Sequence, residues 1–94
     1  MILETYTKQP SEVQDYDIDF GEYLQGMGND TIQSFAVAVK PTGLTAVESL
    51  VIGSVVKVFL GGGESGKSYV VEARVTTAGG RVREGEIQIK VKEY

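Results

Sequence analysis

The clearest feature of the chain is a two-residue alternation of apolar and polar side chains. In residues 86–92 every odd position is apolar and every even position is polar. Residues 68–77 alternate in the same way, with Tyr69, Val71, Ala73 and Val75 on one face. Successive side chains of a β-strand point to opposite faces of a sheet, so both segments are predicted to be half-buried strands.

Three further segments are predicted to be strands. Residues 32–39 place large apolar side chains on one face and small residues on the other, which would allow close packing on both sides. Residues 55–60 bring Val56, Val58 and Leu60 together on one face, and residues 44–52 supply another short apolar run. Short apolar runs bounded by Gly and Pro are typical of strands.

Turn-forming residues separate the predicted strands. Residues 40–43, 53–54, 61–66 and 78–80 are rich in Gly, Pro and Ser, which favour turns and loops. Gly85 interrupts the last strand, and the apolar positions change from even at Val82 to odd further on. A β-bulge at Gly85 would absorb this change of parity.

One short segment has a helical pattern. Phe20, Tyr23 and Leu24 stand at positions i, i+3 and i+4, which predicts a single helical turn near residues 20–24. Six or seven short strands with turns between them predict an all-β fold, an antiparallel β-sandwich of immunoglobulin or fibronectin type III shape. We expect residues 1–94 to form one domain, with residues 1–10 as a candidate extended N-terminal arm.

The composition excludes several classes of chemistry. The 94 residues contain no Cys, so disulfides and thiolate metal sites are excluded, and no His, so Ser-His-Asp and Cys-His catalysis are excluded. No apolar segment is long enough to cross a membrane, and no secretory signal pattern is present. We therefore expect a non-enzymatic protein without cofactor or membrane partner.

The charge is unevenly distributed along the chain. The net charge is −4, which argues against a nucleic-acid partner. Residues 1–39 hold seven acidic residues and one base, Lys8, whereas residues 40–94 hold six acidic residues and eight bases. Such a molecule can dock head to tail with copies of itself or with neighbours, although a solvated acidic flank would show the same charges.

Residues 61–68, GGGESGKS, match the phosphate-binding P-loop pattern at Gly61, Gly66, Lys67 and Ser68. A P-loop requires a helix after the loop, because the helix N-terminus helps to bind the phosphates. The residues that follow are instead predicted to form a strand. We therefore interpret the segment as a hairpin loop that binds no nucleotide, in which Glu64 and Lys67 are candidate contacts for a neighbouring subunit.

Asp15, Asp17 and Asp19 lie on one face of an extended segment, with apolar residues on the other. Clustered carboxylates are typical of calcium sites, but alternate residues of a strand stand about 7 Å apart and the EF-hand spacing is absent. A solvated or partner-facing strand is the simpler interpretation. We predict no metal site and treat the three carboxylates as candidate interface residues.

Several short motifs occur in an order that resembles a known family. They are K-x-P-x-E at residues 8–12, D-Y-x-I-D and an aromatic residue at 15–20, an aromatic residue and Leu at 23–24, D-T-I at 30–32, Gly43-Leu44, the Gly-rich loop, Thr76-Thr77 and Gly80-Arg81. Together they cover most of residues 8–92. This order is similar to that of the fiber-tail adaptor proteins of tailed phages, although the positions that are often Trp in that family are Phe20, Tyr23 and Phe35 here.

The resemblance implies an immunoglobulin-like virion protein that links the tail or collar to tail fibers. Its expected partners are copies of itself, arranged as a symmetric ring, and other virion proteins, after synthesis in the host cytoplasm. The resemblance implies no catalytic residues. A capsid cement or decoration protein and a carbohydrate-binding or adhesive module remain as alternatives.

Overall fold

The computed structural model describes the backbone of residues 2–94 and the side chains of residues 4–94. The described chain contains seven strands and one short helix. In chain order they are β1 (Ile2–Lys8), β2 (Gln14–Asp19), α1 (Gly21–Gly26), β3 (Ile32–Lys40), β4 (Leu44–Ile52), β5 (Val55–Gly62), β6 (Ser68–Thr77) and β7 (Val82–Val91). All five segments predicted as strands from alternation or apolar runs are strands in the structure.

The strands form two sheets that pack into a sandwich. The four-stranded sheet has the order β1-β7-β6-β3 and the three-stranded sheet has the order β2-β5-β4. Four of the described pairings are antiparallel, and β1 pairs with β7 in parallel, from Ile2 beside Glu86 to Lys8 beside Val91. The predicted all-β sandwich is confirmed, and residues 2–8, part of the candidate N-terminal arm at residues 1–10, pair with β7 in a sheet.

The core lies between the sheets and follows the predicted alternation. Strands β2, β5, β6 and β7 bury alternate side chains, because the inward face of each sheet meets the other sheet. The buried apolar residues are Tyr16, Ile18, Phe20, Leu24, Leu44, Val56, Val58, Leu60, Tyr69, Val71, Ala73, Val75, Ile87, Ile89 and Val91. The rings of Tyr6 in β1 and Tyr16 in β2, which belong to different sheets, also contact each other, with centroids 4.9 Å apart.

The predicted bulge at Gly85 was wrong. The β6–β7 register runs without interruption from Ser68 beside Lys90 to Thr76 beside Val82, and Gly85 lies in the inner row opposite Ala73. Val82 is 59% exposed and points outward, so its even position requires no extra residue. Register irregularities occur instead near the start of β1, near the start of β3 and within β4.

The predicted helical turn is confirmed as α1, which covers one end of the sandwich. Phe20 and Leu24 are buried there, and the Asp19 carboxylate accepts a hydrogen bond of 2.7 Å from the Gly21 amide before the first turn. We name this the helix end, and it also contains the turns at residues 53–54 and 78–81. We name the opposite end the loop end; it contains residues 9–13, 41–43, 63–67 and 92–94.

Candidate assembly interface

The Gly-rich segment connects the two sheets and is not a hairpin. Gly61 and Gly62 complete β5 in the three-stranded sheet, and β6, which follows residues 63–67, belongs to the four-stranded sheet. Strands β5 and β6 are therefore not paired with each other, and the hairpin interpretation of this loop was wrong. The part of that interpretation that concerned the next element was correct, since a strand follows Lys67 where a P-loop requires a helix.

The backbone amides of this loop already donate hydrogen bonds within the protein. A P-loop holds phosphate with amides that point into an open cradle. Here the side chains of Lys67 and Glu64 pair at 3.0 Å, and this hydrogen bond raises the pKa of Lys67. The amide hydrogen bonds run from Gly63 to Gly43 O (3.0 Å), Glu64 to Tyr69 Oη (3.0 Å), Gly66 to Val91 O (2.8 Å) and Lys67 to Glu64 O (3.1 Å).

Lys8 holds the loop end together from inside. Its side chain is buried, and Nζ donates to the carbonyl oxygens of Gln9 at 2.7 Å, Gly62 at 2.6 Å and Pro10 at 3.4 Å. The Glu12 carboxylate accepts a 2.7 Å hydrogen bond from the Gln9 amide. Burial lowers the pKa of Lys8, and the nearby Glu12 charge acts in the opposite direction. We name Lys8, Gln9, Pro10, Glu12 and Gly62 the Lys8 cluster. The K-x-P-x-E motif therefore has a structural role.

A second polar cluster lies at the helix end. Asp30 pairs with Arg81 at 3.0 Å and accepts hydrogen bonds of 2.9 Å from the amides of Thr31 and Gly79. A hydrogen bond with Thr77, followed by those from the two amides and from Arg81, lowers the pKa of Asp30 to about 2. We name this the Asp30 cluster; it joins the D-T-I motif to the Gly-Arg turn, two segments far apart in sequence.

The outer face of the three-stranded sheet combines acidic and apolar side chains. Its central strand β5 turns Val55, Lys57 and Phe59 outward, because Val56, Val58 and Leu60 fill the core. The register with β2 and β4 places further outward residues beside them. We name this surface the acidic–apolar face; its members are Val13, Asp15, Asp17, Asp19, Val47, Glu48, Leu50, Ile52, Val55, Lys57 and Phe59.

Asp15 and Asp17 share one lysine on this face. Lys57 Nζ lies 3.0 Å from Asp15 Oδ2 and 2.8 Å from Asp17 Oδ1. The hydrogen bonds lower the pKa of Asp15 and raise that of Lys57. An ammonium group thus occupies the position between the two carboxylates that a calcium ion would take. Within residues that the structure describes, no group of three acidic side chains has the geometry of a metal site.

Three apolar members of the face are largely exposed to solvent. Val13 and Val47 are each 60% exposed and flank Gly61, where a side-chain carbon would lie 3.4 and 3.3 Å from their methyl groups. Ile52 is 55% exposed at the other end of the face. Phe59 lies between them, beside Asp15 on β2 and Glu48 on β4. Apolar side chains thus run along the length of the sheet.

The candidate residues from the sequence fall into three places. Asp15 and Asp17 come together through Lys57, whereas Asp19 lies at the helix end and accepts the Gly21 amide hydrogen bond. Glu64 and Lys67 pair with each other in the loop. The apolar members of the face were not predicted from the sequence. Val55 and Phe59, apolar residues at the outward positions of β5, were the available signal, since a strand with apolar residues on both sides is expected to be covered on both sides.

Two further surface features bear on the alternatives. Of the eight aromatic side chains, all in the described part of the chain, Tyr94 is the one with a largely exposed ring, at 79%. A single exposed ring is a poor platform for a sugar, so the carbohydrate-binding alternative gains no support. No helix in the described residues has the length and apolar character to span a bilayer.

Comparison with known proteins agrees with the order of motifs. The model of the family Gp77, described as podophage GP4 fiber-tail adaptor protein gp77, matches residues 8–90. No curated protein matches the chain. The matched region begins at Lys8 of the Lys8 cluster and includes the whole Asp30 cluster and the acidic–apolar face. This match covers most of the chain, and the chain therefore belongs to the podophage fiber-tail adaptor family Gp77.

Proposed function

We propose that this protein is a non-enzymatic virion component that joins the tail or collar to the tail fibers, and that the acidic–apolar face is one of its contact surfaces. Membership of a fiber-tail adaptor family supports the adaptor role. The face supports the surface assignment. An adaptor acts by binding two neighbours, so its functional residues are those that a partner covers.

The observation that carries the surface assignment is the uncovered apolar stripe. Val13, Val47 and Ile52 are all more than half exposed on one face of one sheet. Single exposed apolar residues are ordinary in monomers, but a contiguous apolar patch with a polar rim is typical of a protein–protein interface. Here Asp15, Asp17 and Glu48 supply part of that rim.

The charge of the face defines the chemistry of its partner. Four carboxylates on the face oppose one ammonium group, Lys57. A partner surface that is apolar at its centre and basic at its rim complements this arrangement, and electrostatic complementarity favours correct docking over incorrect docking. Two copies that met through this same face would bring like charges together, which argues against a symmetric dimer on this surface.

Another copy of the chain carries exposed lysines at its loop end and on the strands beside it, interspersed with Glu12, Glu64 and Glu93. These lysines are Lys67 and Lys92 in the loop end, Lys40 at the end of β3 and Lys90 in β7. Contact between the acidic–apolar face of one copy and the loop end of the next is heterologous, and heterologous contacts with rotational closure produce rings. We propose a contact of this kind for the symmetric ring of copies in the particle.

The surface assignment is tested with matched valine substitutions in phage particles. Two single variants, Val13→Lys and Val47→Lys, and the double variant place positive charges on the face, whereas Val82→Lys makes the single change at an equally exposed valine on the other sheet. Particles are produced with each variant as the only source of the protein, and the amount in purified particles is measured by quantitative immunoblot.

We expect the double variant to be incorporated at least tenfold less than wild type and Val82→Lys to be incorporated normally. Circular dichroism of the purified proteins checks that all variants are folded. Equal incorporation of the double variant and wild type would sink the surface assignment. Immunogold labelling of the particles separately tests the adaptor role, because label on the capsid would favour the cement alternative over a tail position.

A further inference from the structure

The edge of the four-stranded sheet at β3 differs from the other sheet edges of the described chain. Natural sheets protect their edges with charges and irregularities, because an open edge can pair with another strand. Strand β2 carries three aspartates, β4 has Glu48 beside a register irregularity, and β1 has Glu4 beside another. Strand β3 is uncharged from Ile32 to Val39, and its irregularity is confined to its start.

Strand β3 is also incompletely covered. It pairs with β6 along its length and meets β4 across the sandwich, and none of its residues is fully buried. On its inner side Phe35, Val37 and Val39 pack against the core but remain half-exposed. An additional strand beside β3 would bury more of these side chains and would satisfy the backbone groups of the open edge.

A shallow depression lies on the outer side of this edge. Ala36, Val37 and Ala38 of β3 and Glu72 and Arg74 of β6 line a volume of about 250 Å³. In the β3–β6 pairing Ala36 lies opposite Arg74 and Ala38 lies opposite Glu72, so that small side chains adjoin long ones. The depression therefore holds one positive and one negative side chain, and an alanine separates each of them from the open edge.

This arrangement is complementary to a second copy of itself. When two β3 strands pair antiparallel with Val37 opposite Val37, Ala36 of each copy lies opposite Ala38 of the other. The row across the joined sheet then runs from Arg74 over two alanines to Glu72 of the other copy, and two-fold symmetry repeats this row. Three strand spacings, about 14 Å, separate the backbones of the two charged residues, and their extended side chains together span that distance.

Arg74 keeps its existing partner in this arrangement. Its Nη2 lies 3.0 Å from a carboxylate oxygen of Glu84 on β7, and a guanidinium has further N–H donors. Glu72 of the other copy would approach from the opposite side, since β6 lies between β7 and β3. Lys40 would lie opposite Ser34, so no two like charges are directly opposite each other where the β3 strands meet.

The charges of β6 select this register. A shift by one residue would turn the inner row of β3 away from the core, so the competing registers differ by two residues. A shift in one direction sets Ala36 opposite Ala36 and brings the two Arg74 side chains together. A shift in the other direction sets Ala38 opposite Ala38 and brings the two Glu72 carboxylates together. Like charges that meet across strands are unfavourable.

We propose that two copies of the free protein pair through antiparallel β3 strands in this register and join their four-stranded sheets into one sheet. On the inner side, Val37 then lies opposite Val37 and Phe35 opposite Val39, and pairs of aromatic and β-branched side chains stabilise sheets. The contact uses the opposite sheet from the acidic–apolar face and none of the residues of that face. It therefore stands independently of the proposed function.

The charge arrangement is tested by sedimentation equilibrium of the full chain. Glu72→Arg and Arg74→Glu each bring like charges together in the proposed dimer, so we expect either variant alone to dimerise at least tenfold more weakly than wild type. An equal mixture of the two variants has opposite charges in both rows and should dimerise as well as wild type. Thermal melts check that both variants fold.

The matched control places the same charges at the other edge of the same sheet. Thr7 lies on the exposed side of β1, and we expect Thr7→Arg and Thr7→Glu to dimerise like wild type, each alone and as a mixture.

The register is tested with cysteine variants, because the chain contains no Cys of its own. In the proposed register, position 36 of one copy lies directly opposite position 38 of the other, which is close enough for a disulfide, whereas two copies of position 36 stand diagonally and further apart. Oxidation of a mixture of Ala36→Cys and Ala38→Cys should therefore give more covalent dimer on a non-reducing gel than either variant alone.

Three results would overturn the proposal. The first is wild-type protein that remains monomeric at every concentration in the ultracentrifuge. The second is a mixture of Glu72→Arg and Arg74→Glu that dimerises no better than each variant alone. The third is more covalent dimer from one cysteine variant alone than from the mixture, because the strands would then meet in another register.

Discussion

A polar cluster holds each end of the sandwich, and the two clusters are stabilised by different interactions. At the loop end, the Lys8 ammonium donates to three backbone carbonyls without a carboxylate in direct contact. At the helix end, the Asp30 carboxylate accepts from two backbone amides and pairs with Arg81. In the first cluster a cation donates directly only to neutral carbonyls, with the Glu12 carboxylate nearby, and in the second an anion has a directly paired cation.

This difference predicts which of the two clusters tolerates substitution better. A buried acceptor that loses its donor is left with an unsatisfied hydrogen bond, and water does not easily replace it. Arg81 is 44% exposed, so water can solvate the guanidinium when its partner is removed. We therefore expect the loop end to respond more strongly to substitution than the helix end. Four substitutions test this comparison, in decreasing order of expected effect.

Lys8→Met should have the largest effect. Methionine retains much of the apolar stem but removes the donor, so the carbonyls of Gln9 and Gly62 lose their shortest hydrogen bonds. We expect the free energy of unfolding to fall by about 2–4 kcal/mol. Urea denaturation measures this change. Lys90→Met, at an exposed position of β7, is the control and should change stability by less than about 0.5 kcal/mol. Equal effects of the two substitutions would contradict a structural role for Lys8.

Gly63→Ala should have the second largest effect. Gly63 has φ +96, and an added side-chain carbon would lie 2.7 Å from the buried Val91. Backbone strain and the clash together should cost about 2 kcal/mol. Gly66→Ala separates the two terms, since Gly66 has φ +90 and open space around it. We expect denaturation to show a smaller loss for Gly66→Ala; equal losses would show that the clash with Val91 is unimportant.

Asp30→Asn should have a smaller effect, and its effect should depend on pH. The pKa of Asp30 is lowered to about 2, below the value near 4 of an unfolded chain. The unfolded state therefore binds the proton more readily, and the carboxylate stabilises the protein fully above pH 4. This contribution is lost as the pH falls through about 2.

Thermal melts at several pH values test this prediction. The variant should be less stable than wild type at pH 7 and should show a flatter dependence between pH 4 and pH 2. Glu93→Gln removes a carboxylate from the exposed C-terminal segment and controls for net charge. Parallel curves for wild type and Asp30→Asn over that interval would exclude the Asp30 cluster as a source of acid sensitivity.

Gly79→Ala should have the smallest effect of the four. An added side-chain carbon would lie 2.6 Å from Arg81 Nη1 and 2.8 Å from Asp30 Oδ2, so it would displace the ion pair. Both contacts are the ends of side chains, and that of Arg81 can move into solvent. We expect a decrease in melting temperature less than half that of Gly63→Ala. A larger decrease would mean that the helix end is as intolerant as the loop end.

The strands and the core were predictable because alternation is a local property. Each inward side chain from Tyr69 to Val75 is buried as predicted, because alternate residues of a strand point to the same face of the sheet. Resemblance also identified the family, because its motifs occur in the expected order. The sequence predicted less of the polar structure. Lysine is usually exposed, so no local signal indicates that Lys8 is buried.

Connectivity and surface function could not be derived from local patterns. A Gly-rich loop between two strands fits a hairpin and a crossing between sheets equally well, so the hairpin interpretation of residues 61–68 was wrong for a non-local reason. Val82 was misread in the same way, because one apolar residue does not show which way it points. The apolar members of the acidic–apolar face were not predicted, because the burial of Val56, Val58 and Leu60 on the inner side already explained the apolar pattern of β5.

The parallel pairing of β1 with β7 has a mechanical consequence. The start of β1 lies beside Glu86, and the end of β7 lies beside Lys8. Tension applied between those two points slides the strands past each other and loads their hydrogen bonds simultaneously, whereas peeling would break them one by one. A pull in an optical trap between residues 2 and 92 should therefore meet a single high-force event. A protein that links a fiber to a tail would resist pulling forces best along that direction.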